Sequence, residues 1–396
     1  MKETKFKNTE IGKIPEEWKM YSIGKDCSVK ARIGWQGLTT SEYLQTGHYG
    51  LITSTDLIEG KVNWDTCVFV SEERYKQDTN IIVKNGDVLV SKDGTIGKVA
   101  VVSNLQYPTT LNSGVFVIRT KNEKITQEGL GLVFISPYFK DFIKRLTAGS
   151  TIVHLYQKDI VNFTFPIPTL PEQHRIASAL TSIDNLISSL GKLIEKKKNI
   201  KQGTMQQLLT GQIRLKGFSE PWVEKKLEKV CSVKRGVRVV KRNLTTDGLY
   251  PVYQNTNFPL GYSNQYNVEA NTPFVIIGGS AGQVGICRER YWAADDCAFF
   301  ACHDIYKEYL YYVLLLNQSN ILHNVRTGTI PRLDRSFLSN MVVYISSNID
   351  EQQAIATILN KMDNEITALE AKRTKYEAIK QGMMQQLLTG KIRLIS

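Results

Sequence analysis

Apolar positions between residues 170 and 200 form a stripe. Ile176, Leu180, Ile183, Ile187, Leu190 and Ile194 step by 4, 3, 4, 3 and 4 residues, which is the spacing of a coiled-coil seam on an α-helix. A second stripe runs Ile355, Leu359, Met362, Ile366 and Leu369, is interrupted by Arg373 and resumes at Tyr376. Both helices open on a capping-box pattern, Thr169-x-x-Glu172 and Asn348-x-x-Glu351, in which side-chain oxygens satisfy the free amides of the first turn. Elsewhere the pattern is that of short strands: Ile81-Ile82-Val83, Asp87-Val88-Leu89-Val90 and Val115-Phe116-Val117-Ile118, then Pro273-Phe274-Val275-Ile276-Ile277 and Phe299-Phe300-Ala301. Shorter helices are predicted from Glu128 to Arg145 and from Lys307 to Asn317. The lobes are therefore mixed α/β and not a regular βαβ series.

The chain is a tandem duplication. Residues 200–215 and 379–394 are identical at fourteen of sixteen positions, and their offset of 179 extends back through Glu172-Gln173 with Glu351-Gln352 and Asp184-Asn185 with Asp363-Asn364. Cys27-Ser28-Val29-Lys30 returns as Cys231-Ser232-Val233-Lys234 at an offset of 204, so the first half carries 25 extra residues between Lys30 and Gly149. One inserted residue would rotate the rest of a helix by ~100° and break its seam, whereas loops absorb insertions. Two helical segments are held fixed and two lobes differ.

A stripe of this kind needs a mate, and the duplicate helix packed antiparallel supplies one, with a lobe at each end. The stretch from Glu172 to Gly203 makes a rod of roughly 48 Å at ~1.5 Å per residue, longer than the ~34 Å of one DNA turn. The expected fold is α+β: two mixed lobes joined by two long antiparallel coiled-coil helices in a pseudo-twofold tandem duplication. The expected limits are 1–168 for the first lobe, 169–216 for a central helical spacer region, 217–347 for the second lobe and 348–396 for a C-terminal helical spacer region.

Composition adds the partner. A chain of 396 residues with 42% hydrophobic and 22% charged residues has the material for real cores, and no stretch approaches the ~18 apolar residues of a membrane span. The opening Met1-Lys2-Glu3-Thr4-Lys5 lacks a signal peptide's apolar run, so a cytoplasmic location is expected. The net charge of +12 favours a polyanion through counterion release, which makes nucleic acid the leading partner class. Six cysteines without a CxxC pair fit reduced thiols; Cys287, Cys297, Cys302 and His303 match no standard zinc spacing, and burial is the expected role.

Catalytic signatures are missing. Gly278-Gly279-Ser280-Ala281-Gly282-Gln283-Val284-Gly285 lacks the G-x-G-x-x-G spacing, and a returning strand at Ile286-Cys287-Arg288 follows it instead of a helix. Lys92-Asp93-Gly94-Thr95-Ile96-Gly97-Lys98 misses the P-loop. Both read as glycine turns between strands, either plain hairpins or loops that approach DNA. Glu195-Lys196-Lys197 resembles a nuclease E-x-K but lies on a solvated helix without partner acids.

Candidate DNA contacts fall in loops of matching position, where Arg and Gln suit base edges and Lys, Ser and Thr suit phosphate. They are Lys30, Arg32 and Gln36 after the first Cys-Ser-Val-Lys, and Lys234, Arg235, Arg238, Lys241 and Arg242 after the second. The glycine turns add Lys92 and Thr95, with Ser280 and Gln283. Around the repeated Gly149 and Gly328 lie Ser150, Thr151 and His154, with Arg326, Thr329, Arg332 and Arg335. Each set also fits an ordinary charged surface or a closing turn.

The order of lobe, Leu170-Pro171-Glu172-Gln173 and Ile176-Ala177 helix, Gln206-Gln207-Leu208-Leu209-Thr210-Gly211 end, then the same again, resembles the specificity subunit of type I restriction-modification systems. The second half departs at Ile349-Asp350-Glu351-Gln352. The resemblance implies that each lobe is a target recognition domain reading half of a bipartite DNA site, that the helices set the spacer, and that the chain has no catalysis of its own. It implies two methyltransferase subunits and a restriction translocase as partners, with S-adenosylmethionine, ATP and Mg on those partners and no cofactor on this chain. Two repeated helical ends independently suggest two copies of one partner. The rival readings are a self-sufficient DNA-modifying enzyme and a protein-binding scaffold.

Overall fold

A computed structural model describes residues 4–148, 154–240 and 244–395, and the statements below concern these. The chain divides into two compact units, Met1–Ser189 with Arg373–Ser396, and Leu190–Lys372.

The two long helices run Leu170–Leu209 and Ile349–Leu387, inside the helical regions expected at 169–216 and 348–396. The predicted seam is the buried stripe: Ile176, Leu180, Ile183, Leu190 and Ile194 are buried on one helix and Ile355, Leu359 and Ile366 on the other, while Arg373 is exposed. Within the first unit Asp184 pairs with Lys380 and Glu172 with Arg393. Within the second, Lys197 pairs with Glu365, Lys201 with Asp363 and Arg214 with Glu351. In both units rising numbers on one helix meet falling numbers on the other, so the segments are antiparallel. Ile176 and Leu180 pack on Leu387 and Leu388, and Leu208 and Leu209 on Ile355 and Leu359.

The ends of these helices are built alike. Thr210 Oγ1 donates to Gln206 O at 2.7 Å and Thr389 Oγ1 to Gln385 O at 2.6 Å. Gly211 and Gly390 then take φ of +70° and +69°, a conformation that costs any other L-residue. The starts were expected to be capping boxes and are not. Asn348 Oδ1 does accept from the amides of Asp350 and Glu351, but Glu172 and Glu351 turn inward and are fully buried. An acid there meets an Arg and a Trp of its unit, a stronger claim than one exposed amide.

In the first unit a four-stranded antiparallel sheet has the order Val99–Val101, Val88–Ser91, Val115–Thr120, Cys27–Lys30. Its side chains alternate between two cores: Val88, Val90, Phe116 and Ile118 join Leu130, Phe134, Phe139 and Phe163, while Leu89, Val115 and Val117 join Ile52 and Leu111. Burial on both faces explains the unbroken apolar runs. A second sheet sets Thr109–Leu111 parallel to Tyr49–Ile52, which also pairs antiparallel with Val68–Val70. Lys19–Ser22 pairs with Thr164–Ile167. The run Ile81-Ile82-Val83, expected as a strand, is instead the end of a 3-10 turn, Thr79–Ile81, and a loop. Its Ile81 and Val83 are buried and the Val83 amide is taken by O of Thr109, the first residue of the strand Thr109–Leu111, so burial beside a strand, without a ladder to it, produced the apolar signal. The helix expected across Glu128–Arg145 breaks at Pro137 into Gln127–Ile135 and Pro137–Thr147, since proline lacks the amide that a continuing helix needs.

The second unit repeats these three sheets. Its four-stranded sheet has the order Val284–Ile286, Pro273–Ile276, Cys297–Cys302, Cys231–Arg235, all antiparallel. Trp292–Ala293 runs parallel to Tyr250–Tyr253, which pairs antiparallel with Gly261–Ser263, and Trp222–Lys226 pairs with Val342–Ser346. Lys30 lies opposite Val117, and Lys234 opposite Phe299. The lobes, unlike in sequence, are alike in fold. Much of the extra length of the first lobe lies between the strands ending at Ile52 and beginning at Val88, where the hairpin Leu57–Ile58 with Lys61–Val62 and the helix Glu72–Lys76 are inserted.

Cys297 and Cys302 are five positions apart on one strand and so face opposite sides of the sheet, Cys297 with Cys287 in one core and Cys302 against the other. They cannot share one metal ion.

Candidate nucleic-acid interface

Each lobe presents a glycine hairpin, and the predicted glycine turns are these. In the first, residues 92–98 join Val88–Ser91 to Val99–Val101, with Gly94 and Gly97 at φ of +68° and +79°. In the second, residues 277–283 join Pro273–Ile276 to Val284–Ile286, with Gly279 and Gly282 at +86° and +87°. A methyl on Gly97 would stand 2.9 Å from Ile143, and one on Gly282 3.0 Å from Leu322 and Val325, so each tip is pressed against a helical segment of its own lobe. The hairpins are thereby rigid mounts.

In the first lobe residues 154–158 come to the same place. Leu155 N donates to Lys92 O at 2.8 Å, and His154 Nδ1 bonds Asp93 Oδ1. Tyr156 lies beside the imidazole with ring centroids 4.7 Å apart, and Lys158 over the Tyr156 ring at 5.4 Å. Lys92 is half-buried, its ammonium 5.4 Å over the Phe116 ring, and Thr95 is exposed. In the second lobe Leu333 N donates to Ile277 O at 3.0 Å and Gly279 N to Pro331 O at 3.2 Å. Arg326 and Arg332 exchange backbone hydrogen bonds at 2.8 and 3.1 Å to close a turn that carries exposed Thr329. Arg332 Nη1 donates to Asp296 Oδ1 at 3.0 Å. Ser280 and Gln283 join this group, the first through its amide to Asn255 O at 2.9 Å, the second by accepting from Asn257 N at 3.4 Å.

Other predicted residues fall differently. Arg32 is corrected from a base contact to a framework residue: it is 1% exposed, and its guanidinium donates to Leu111 O, Gln77 Oε1, Arg74 O and Thr110 Oγ1. Burial pulls its pKa below the ordinary arginine value. Gln36 is buried as well, and its Oε1 has no partner among the described residues. Lys30, Lys234 and Arg238 are exposed. Arg235 is exposed and donates to Asp295 O at 2.7 Å. Arg335 opens the helix Arg335–Asn340, whose cap is Asp334; the Ser336 amide on that carboxylate holds it below the usual range. Ser150, Thr151, Lys241 and Arg242 lie outside the described residues.

Sequence reasoning missed three contributors. Asp93 and Asp296 hold the basic side chains of the two tips. Phe258 projects from the loop 254–260 with 74% of its surface exposed, and Thr256 Oγ1, which donates to Phe258 O at 3.0 Å, stiffens the loop beneath it. An aromatic between Asn257 and Pro259, in a turn where no core face is available, was the signal. Among the described residues no three His, Cys, Asp or Glu side chains converge on a metal-sized space.

The chain matches the family described as type I restriction modification DNA specificity domain twice, over residues 15–202 and 219–381. The type I restriction enzyme MjaVIII specificity subunit of Methanocaldococcus jannaschii is 28% identical over 218 residues, which is 54% of this chain and 50% of that protein. The MjaX specificity subunit of the same organism is 24% identical over 99% of this chain and 98% of its own. So this chain spans half the length of the first relative and nearly all of the second. The crystal structure of a type I restriction-modification S subunit from M. genitalium superposes with a TM-score of 0.68 at 16% identity, covering 93% of this chain and 96% of that one. With two matches that take in both lobes and most of both long helices, the chain belongs to the type I restriction modification DNA specificity family and carries two copies of its domain in tandem.

Proposed function

We propose that this chain reads DNA for a type I restriction-modification complex, each lobe recognising one half of a bipartite target. The observation that carries this reading is the pair of like-built hairpin tips, each rigid, each bearing basic and hydroxyl side chains, on lobes whose sequences differ. Equal scaffolds with unequal tips suit two unlike half-sites, because base contacts specify while the frame only positions them.

The long helices, 40 and 39 residues, set the spacer between half-sites, and their repeated ends dock two copies of a methyltransferase subunit. The repeat supports the stoichiometry, since two near-identical surfaces bind one partner twice. The chain has no catalysis of its own; S-adenosylmethionine belongs to the methyltransferase, and ATP and Mg to the restriction translocase that joins for cleavage. The complex works in the cytoplasm. Co-expression with the partner methyltransferase and genome-wide mapping of methylated adenines tests this. The expected result is one bipartite motif, and removal of a helical turn from both long helices changes only its spacer. A purified chain that methylates or cuts DNA alone, or a complex whose methylation follows no bipartite motif, overturns it.

A further inference from the structure

The two hairpin tips contain the same acid–base pair built from opposite strands. Backbone bonds fix the equivalence. Lys92 N donates to Gly114 O as Ile277 N donates to Asp296 O, at 2.9 and 2.8 Å. Asp93 bridges His154 as Gly278 bridges Arg332, both antiparallel. Asp93 therefore occupies the place of Gly278, Gly114 that of Asp296, and His154 that of Arg332. In the first lobe the acid is on the hairpin and glycine faces it; in the second the glycine is on the hairpin and the acid faces it.

The exchange is sterically coupled. A methyl on Gly278 would lie 2.5 Å from Asp296 Oδ1, and one on Gly114 3.3 Å from Asp93 Oδ2, so each carboxylate fills the space that the facing glycine leaves. What survives the exchange is a carboxylate set against a nitrogenous side chain: Asp93 against His154 Nδ1, and Asp296 against Arg332 Nη1 at 3.0 Å. Such a carboxylate removes rotamer freedom from a side chain that must meet a base in one geometry. The basic groups remain accessible, Arg332 at 56% and His154 at 36% side-chain exposure. Among the described residues the Nε and Nη2 donors of Arg332 are not engaged elsewhere, and their parallel fork suits guanine O6 and N7. Tethered through Nδ1, His154 presents Nε2 alone.

We propose that His154 and Arg332 are the equivalent base-reading residues of the two lobes, that Asp93 and Asp296 are positioning residues that aim them, and that Arg332 reads a guanine. The inference rests on the DNA-reading function proposed above and names its side chains. The test is methylated-adenine mapping of the complex of the full chain with its methyltransferase. Arg332→Lys, which keeps the charge but loses the fork, and Asp296→Asn are expected to relax one G·C position of one half-site by roughly tenfold or more, leaving the other half-site and the spacer intact. His154→Gln and Asp93→Gly are expected to relax one position of the other half-site. The double exchange Asp93→Gly with Gly114→Asp, which copies the second lobe, is expected to restore stringency there. Unchanged motifs in Arg332→Lys and His154→Gln, or relaxation spread over both half-sites, or loss of methylation everywhere, overturns the assignment. A wild-type complex without any bipartite motif would instead overturn the function on which it rests.

Discussion

Arg393 grips Glu172 with two hydrogen bonds of 2.7 and 2.8 Å, joining the tail behind the second long helix to the first turn of the other. Trp18 completes the site, its Nε1 donating to the same carboxylate at 3.2 Å while its ring lies 5.9 Å from the guanidinium. Arg214, Glu351 and Trp222 build the same triad in the second unit, again with an indole bond of 3.2 Å and a ring distance of 5.9 Å. The neighbouring glutamines work toward the lobes: Gln173 accepts from Thr126 N and Gln352 from Tyr306 N, both at 2.8 Å. The paired Glu-Gln thus ties a helix start to a tail with one residue and to a lobe with the next.

Breaking this clasp leaves a charge stranded. Glu172 is fully buried, so Arg393→Ala is expected to destabilise the chain by about 3–5 kcal/mol. Adding Glu172→Gln to Arg393→Ala should recover part of that loss, because the uncompensated charge is then gone. Urea unfolding followed by tryptophan fluorescence, arranged as a double-mutant cycle, checks both statements; additive effects would show that the two side chains do not act together.

The two helix-ending glycines differ in surroundings. An alanine at either must hold positive φ, at about 1–2 kcal/mol. At Gly390 its methyl would also stand 2.4 Å from Pro15 Cγ, whereas at Gly211 the nearest atom is a Trp222 ring carbon at 3.3 Å. Gly390→Ala is therefore expected to cost more than Gly211→Ala by about 1–3 kcal/mol, the usual penalty for overpacking. Equal melting temperatures for the two variants would contradict this.

Stability should fall in alkali. Burial pushes the thiols of Cys27, Cys67, Cys231 and Cys302 from 9.0 up to about 12. A raised folded-state pKa gives stability that is complete below the unfolded value and lost as pH climbs through the folded one. The denaturation midpoint should hold up to about pH 9 and then decline toward pH 12. Iodoacetamide at pH 8 should leave these four thiols unlabelled in the folded chain and label them in urea, a contrast that mass spectrometry reads directly.

If the hairpin tips meet DNA, Phe258 and the surface cations should separate in their salt response. Phe258→Ala is expected to weaken binding of the assembled complex to its target without changing the slope of log affinity against log salt, since stacking or wedging releases no counterion. Arg335→Ala is expected to reduce that slope by about 0.9 if its partner is a phosphate. Binding titrations at several salt concentrations decide between them, and thermal melting should be nearly unchanged in both because the side chains are exposed.

Much of the frame was legible in the chain. The duplication, the seam from Ile176 to Ile194, the antiparallel helix pair and the glycine turns at 92–98 and 277–283 follow from identity and periodicity, because helix packing and tight turns are governed by residues a few positions apart. What the sequence could not settle was set by distant partners. Glu172 has the spacing of a capping acid, but Arg393, 221 positions on, draws it inward. Arg32 has the look of a surface cation until carbonyls from Leu111 and Arg74 enclose it. The lobes share a strand order that their sequences hide, since sheet pairing asks only for apolar residues at alternating positions and tolerates many solutions. The exchange of Asp93 and Gly114 for Gly278 and Asp296 is invisible along the chain for the same reason: it preserves a contact between strands, and only tertiary structure brings those strands together.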